Sequence, residues 1–296
     1  MIALPQPRRG WVPLAMAAAL LCAAPPLPVA WQLLAVVPAI VIFGLPHGAA
    51  DWWLAAASLR PRLPGWTWVP AFGLAYLAVS LATALAILAA PSAMLVAFVL
   101  LSAWHFGSTD LAALRIRAPA MVALCTGLTP IAAPLLLHQA ASQSILASLG
   151  VALAPDAQHL WAGVALAIAV PGVLTAMAFA PPRARRALAA EQAAMLALAA
   201  AAPPLLAFLV YFCVLHAPRQ TAAQPVGGPA AHAWLGGIGA ALLIGGALVL
   251  IPHQAHAAAL AMRGLFWGLA VLTIPHVLTG WLLRPDSGNA AWSRAT

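Results

Sequence analysis

Four histidines interrupt apolar runs of this chain, and each has the surroundings of a potential metal ligand. His47 lies in Gly44-Leu45-Pro46-His47-Gly48-Ala49-Ala50-Asp51, and His105 in Ser102-Ala103-Trp104-His105-Phe106-Gly107-Ser108-Thr109-Asp110. His216 closes Tyr211-Phe212-Cys213-Val214-Leu215-His216, and His276 follows Pro275. Neutral imidazole is a good ligand for iron, copper or zinc, and a metal gives a histidine inside a bilayer a partner that hydrocarbon cannot. The rival reading is four separate histidines, each hydrogen-bonded to a neighbouring helix carbonyl. Two similar motifs weigh toward the metal. Asp51 stands four residues after His47, on the same helical face, and Asp110 stands five after His105. A carboxylate so placed can accept the second ring N–H of a ligand histidine and fix its tautomer; it can equally cap a helix or pair near an interface. Pro46 and Gly48 predict a bent helix around His47, and Gly107 makes space beside His105 or serves helix packing.

The elements that position these residues follow from composition. Hydrophobic residues make up 65% of the 296 residues and charged residues 6%, against about 25% charged in an ordinary soluble domain. The chain therefore reads as an integral membrane protein. With roughly 20 residues needed per crossing, about eight to ten helices fit and no soluble domain does. Strand-period alternation is absent, so the expected fold is all-α: a polytopic transmembrane helix bundle forming a single integral membrane domain over 1–296. Expected spans are 11–28, 29–57, 64–89, 93–113, 118–138, 159–180, 187–202, 205–217, 231–250 and 264–283. Breaks fall at Pro25-Pro26, at Pro203-Pro204 and across 218–229. Glycines 236, 237, 239, 245 and 246 suit a closely packed ninth helix.

Thirteen basic residues against five acids do not indicate nucleic acid, because the arginines fall between apolar runs and form no stripe on a soluble face. They read as topology signals. Arg8/Arg9, Arg60/Arg62, Arg115/Arg117, Arg183/Arg185/Arg186, Arg219 and Arg284/Arg294 share one side, and only Arg263 dissents. The positive-inside rule then puts both termini in the cytoplasm, in a multi-pass protein of the cell inner membrane. The first apolar run is read as a retained helix, not a cleaved signal peptide. Cys22, Cys125 and Cys213 stand singly, so they frame neither disulfides nor zinc and read as small core residues.

The His47, His105 and Tyr211–Arg219 motifs, with weaker support from Glu191 and Pro275-His276, resemble the Brp/Blh family of bacterial and archaeal membrane β-carotene central-cleavage dioxygenases. The landmarks extend from residue 44 to 276. The resemblance implies an Fe(2+) enzyme that uses O2 to split β-carotene at its central double bond into two retinal molecules, with His47, His105 and His216 matching the family's iron ligands. One departure is plain: the family's third motif carries a second histidine four residues after the first, and here that position is Gln220. Gln220 through its carbonyl oxygen, or His276, are the candidates to complete the site, with Asp51 and Asp110 supporting from behind the ligands. Trp104, Phe106, Tyr211 and Phe212, with Trp267 and Trp281, are candidates to line a tunnel for the polyene, against the alternative of core or interface-belt packing. The partners so implied are β-carotene, O2 and the lipid bilayer; no protein partner is indicated.

Several other functions are excluded. A retinal-binding opsin needs a Schiff-base lysine, and all thirteen basic residues are arginine. Membrane desaturases show closely spaced histidine boxes, and four-carboxylate di-iron bundles need several buried acids. Phosphate-binding glycine loops and Ser-His-Asp signatures are absent. A transporter with intramembrane histidines, an inactive or altered carotenoid-binding relative, and bis-histidine haem ligation stay open beside carotenoid cleavage.

Overall fold

A computed structural model describes residues 11–22, 27–40, 48, 51–151, 154–222 and 257–283. Every regular element among them is helical. In chain order these are α1 (Trp11–Cys22), α2 (Val29–Ala39), α3 (Asp51–Leu59), α4 (Trp68–Ala89), α5 (Pro91–Ala113), α6 (Ala120–Gly127) and α7 (Thr129–Leu137). They are followed by α8 (Gln139–Ser148), α9 (Pro155–Phe179), α10 (Pro182–Ala201), α11 (Pro204–Val210), a π-helical turn (Tyr211–His216), α12 (Ala217–Ala222) and α13 (Ala257–Leu282). The expected ninth span and its glycines lie outside the described residues, as does His47.

Among the described residues five stretches are long and apolar enough to cross a membrane: α4, α5, α6 with α7, residues 160–179 of α9, and α13. On α4 the side chains of Leu74, Leu77, Leu81, Leu85 and Leu88 are all more than half exposed. Their spacing of three and four makes one continuous apolar ridge, which suits lipid as its solvent. The protein is an all-α, multi-pass membrane protein.

The expected 118–138 span breaks at Leu128 into α6 and α7. Pro130 explains the break, since it has no N–H for the Thr126 carbonyl and its ring crowds that turn. Residues 139–148, read as a connection, form α8. Prolines open α5, α9, α10 and α11, where a missing N–H costs nothing because the first helical amides have no intrahelical partner.

The chain divides into two compact units. The first comprises residues 1–28, 102–143 and 153–223. In it α1 packs on α10, and α9 packs on α6 and α7. The C-terminal half of α5 meets α6 through two small-residue pairs, Ala103/Gly107 and Ala123/Gly127. A Cβ built on Gly107 would overlap the Ala123 carbonyl oxygen, and one on Gly127 would overlap that of Ala103. Gly107 thus makes room for a neighbouring backbone, the close approach that small residues four apart permit in membranes. Gly172 of α9 meets Cys125 of α6 in the same way. Cys22 is exposed and Cys125 and Cys213 are half-buried, all three as free thiols, so the expected core placement fails for Cys22.

Below this seam Leu111, Leu114, Ile116, Ala123, Ala176, Ala180, Ala184 and Leu188 form one buried cluster, with Trp104 packed against it. α5 ends in a Schellman turn: Ile116 N–H donates to the Leu111 carbonyl at 2.8 Å, Arg115 N–H to that of Ala112 at 2.9 Å, and Arg115 takes φ 58°. The Leu111 and Ile116 side chains enter the core together.

The second unit comprises residues 29–101, 144–152 and 224–296. There α13 packs against α2, α3 and α4. Tyr76 donates to the Leu272 carbonyl (3.2 Å) and Ser58 to that of Leu283 (2.6 Å). Arg263 donates from Nε to the Ser148 carbonyl at 2.7 Å, and Trp267 from Nε1 to that of Leu149 at 3.2 Å. The cation that broke the topology pattern therefore satisfies the C-terminal end of α8, and Trp267, a tunnel candidate, is tied to the same turn. Trp281 is exposed.

Candidate functional site

α5 carries His105 and the π turn carries His216, and the two rings meet edge to face with centroids 5.0 Å apart. The π turn has a local cause. Pro218 cannot donate an amide to the preceding turn and its ring crowds the carbonyl four residues back. The chain widens instead, and Ala217 N–H reaches the Phe212 carbonyl five residues away. Phe208, Phe212 and His216, spaced by four, then stack in succession: 5.4 Å at 15° for the first pair and 5.6 Å at 23° for the second. Phe106 closes the other side, 4.6 Å from His216 and 5.3 Å from Tyr211. Single π turns recur at functional sites. Of the aromatic tunnel candidates, Phe106, Tyr211 and Phe212 surround His216, whereas Trp104 faces the buried cluster.

A charged network lies beside this pair. Tyr211 donates its hydroxyl to Asp110 Oδ2 at 2.8 Å. Arg219 donates from Nη1 to Asp110 Oδ1 at 3.0 Å and from Nη2 to Glu191 Oε1 at 2.5 Å. All three charged side chains are largely buried, 12% exposed for Arg219, 13% for Asp110 and 4% for Glu191. Burial alone would lower the Arg219 pKa; Asp110 and Glu191 more than offset it, so the guanidinium is held above its ordinary range and stays charged. Next to it Gln220 Oε1 accepts from Thr109 Oγ1 at 3.1 Å. His138, at the end of α7, donates Nε2–H to the Ala199 carbonyl of α10 at 2.8 Å.

In the second unit His276 Nδ1 lies 2.8 Å from Asp51 Oδ1, with both residues buried. Asp51, paired in sequence with His47, thus has a partner 225 positions away. A carboxylate on Nδ1 fixes a histidine with Nε2 as its ligand nitrogen. Of the residues singled out by sequence, His105, His216, Phe106, Tyr211, Phe212 and Asp110 come together, and Gln220 joins through Thr109. Among the described residues no three His, Cys, Asp or Glu side chains gather at a metal-holding distance. The donor chemistry of His105 and His216 nevertheless fits an ion: with metal–nitrogen bonds of roughly 2.1 Å, imidazoles on adjacent coordination positions have centroids about 5 Å apart.

Sequence reading missed Arg219 as a site residue, since a cation after an apolar run looks like a topology signal. Its place three residues after His216 and one before Gln220 was the available clue. Glu191 offered another, as a lone acid in an alanine-rich run.

Residues 38–284 match the family described as beta-carotene 15,15'-dioxygenase. The chain is also similar to the probable beta-carotene 15,15'-dioxygenase Blh of Halobacterium salinarum, with 30% identity over 93% of this chain and 91% of that protein. No solved structure matches it.

Proposed function

This chain belongs to the beta-carotene 15,15'-dioxygenase family, and from that premise we propose that it splits the central double bond of β-carotene with O2. Each carbon of the broken bond takes one oxygen atom, so one hydrocarbon gives two molecules of retinal. The family resemblance assigns Fe(2+) to His47, His105 and His216, with Gln220 or His276 as the remaining donor; of these, His105 and His216 are the pair that meets within one unit. Iron(II), when bound, supplies the redox chemistry that lets O2 react with a closed-shell polyene. The protein's own part is simpler. Neutral imidazoles leave the ion its positive charge, and the apolar bundle admits the polyene while keeping water out. Phe106 and Phe212 fix the plane of the His216 ring and give a long polyene an aromatic wall to lie against. The reading places the enzyme in the cell inner membrane with both termini cytoplasmic.

The observation that carries this reading is the His105–His216 pair, two imidazoles from motifs more than a hundred residues apart brought edge to face at 5.0 Å. The test is expression in a bacterium that accumulates β-carotene, with wild type beside His105→Ala and His216→Ala, and retinal measured in extracts under air. Retinal from wild type and from neither variant supports the proposal. Persistent orange colour without retinal, with wild-type protein present in the membrane, overturns it.

One observation favours a second reading, a carotenoid-binding relative that does not cleave. Gln220 stands where the resembling motif has a histidine, and its amide oxygen is engaged by Thr109. Carotenoid co-purifying with the intact protein, together with no retinal, would support that alternative.

A further inference from the structure

We propose that Arg219 is a positioning residue: its bridge to Asp110 and Glu191, together with the Tyr211 hydroxyl on the same Asp110 carboxylate, pins the π turn to α5 and so sets His216 against His105. The inference rests on the reading of those histidines as metal ligands. Tyr211 is the first residue of the π turn, and Arg219 lies three residues past its last. From these two sides of His216 both side chains converge on one carboxylate, Tyr211 on Oδ2 and Arg219 on Oδ1. That carboxylate belongs to Asp110, on the helix that carries His105. The second Arg219 nitrogen reaches Glu191 on α10, so the side chain ties three separate segments.

A π turn is intrinsically less favourable than the α-helix it replaces, and an outside tether opposes its relaxation. The planar guanidinium suits the task, because two N–H vectors in a fixed fork meet two carboxylates on different helices. A lysine keeps the charge but offers one nitrogen. Arg219→Lys therefore retains electrostatic attraction while losing the fixed geometry, and Tyr211→Phe removes one bond and leaves the ring in place.

The experiment uses full-length protein in detergent, with wild type, Arg219→Lys and Tyr211→Phe compared. Hydrogen–deuterium exchange over 211–222 in metal-stripped protein reads the pin, and cobalt(II) titration by visible absorption reads the site. Faster exchange confined to that segment is expected in both variants. Cobalt affinity should fall by about 10- to 100-fold in Arg219→Lys, the range typical for losing a group that supports metal ligands, and by less in Tyr211→Phe. Unchanged exchange overturns the pin. Faster exchange with wild-type cobalt affinity makes the network merely structural and overturns the positioning role. Wild type that takes up no cobalt removes the metal reading and the positioning role with it, a result distinct from wild type that binds and variants that bind equally well.

Discussion

Replacing Gly107 by alanine adds one methyl group at the α5–α6 crossing, where the two backbones meet. The new carbon would overlap the Ala123 carbonyl oxygen and lie 2.7 Å from its carbon and 2.9 Å from Gly127 N. Ordinary contact needs about 3.5–4.0 Å, and the obstructing atoms are backbone, with no rotamer to turn away. α5 and α6 must therefore part by on the order of 1 Å. Overpacking of this kind costs about 1–3 kcal/mol, which corresponds to a melting-temperature loss on the order of 3–10 °C. Gly73→Ala is the internal control: it lies within α4, and an added Cβ there meets nothing within 4 Å. By helix propensity that change should stabilise by about 0.4–1 kcal/mol. Thermal unfolding of purified protein, followed by tryptophan fluorescence, compares the two. Because His105 is two residues from Gly107, retinal formation should fall with stability in Gly107→Ala and not in Gly73→Ala. If Gly107→Ala melts at or above wild type, the close approach is wrong.

Other outcomes follow from the remaining contacts. Asp51→Ala leaves the buried His276 Nδ1 without its carboxylate and should cost about 1–3 kcal/mol, with His276→Leu in the same background recovering part of it; additive losses would show that the two residues do not interact. Pro218→Ala restores an amide to the turn, so the π segment should tighten toward α-helix and rotate His216 away from His105, lowering cobalt affinity while α-helical circular dichroism holds. Unchanged affinity would mean that Pro218 does not cause the π turn.

Much of the architecture was readable without coordinates because a bilayer imposes it: scarce charge and apolar runs of span length leave few alternatives to helices. The His105 and His216 motifs were readable for a related reason, since titratable rings in hydrocarbon ask for a partner. What could not be read is which partner. The Asp51–His276 pair joins positions 225 apart, and helical periodicity carries information over one or two turns only. Arg219 illustrates the same limit: a cation just past an apolar run reads as a mark of the span's end, and its neighbours His216 and Gln220 hint at the site without naming Asp110 and Glu191 as its partners. The break at Pro130 and the π turn before Pro218 depend on how a proline's missing amide is accommodated, which neighbouring helices decide.

The length of α5 gives the Arg219 network a further meaning. At 23 residues the helix is about 34 Å long, only slightly more than a hydrocarbon thickness of about 30 Å. A centred helix puts Asp110 within roughly 2–3 Å of the headgroup boundary, and His105 about 10 Å inside it. The ion pairs, buried within the protein, therefore stand at the depth of the headgroup boundary, while His105, against which they set His216, stands at the depth of the hydrocarbon. A short stretch of helix separates the two depths, and stiffness along it transmits placement from one to the other. A thinner or thicker bilayer would shift which residues meet that boundary, so lipid chain length becomes a variable of the site itself.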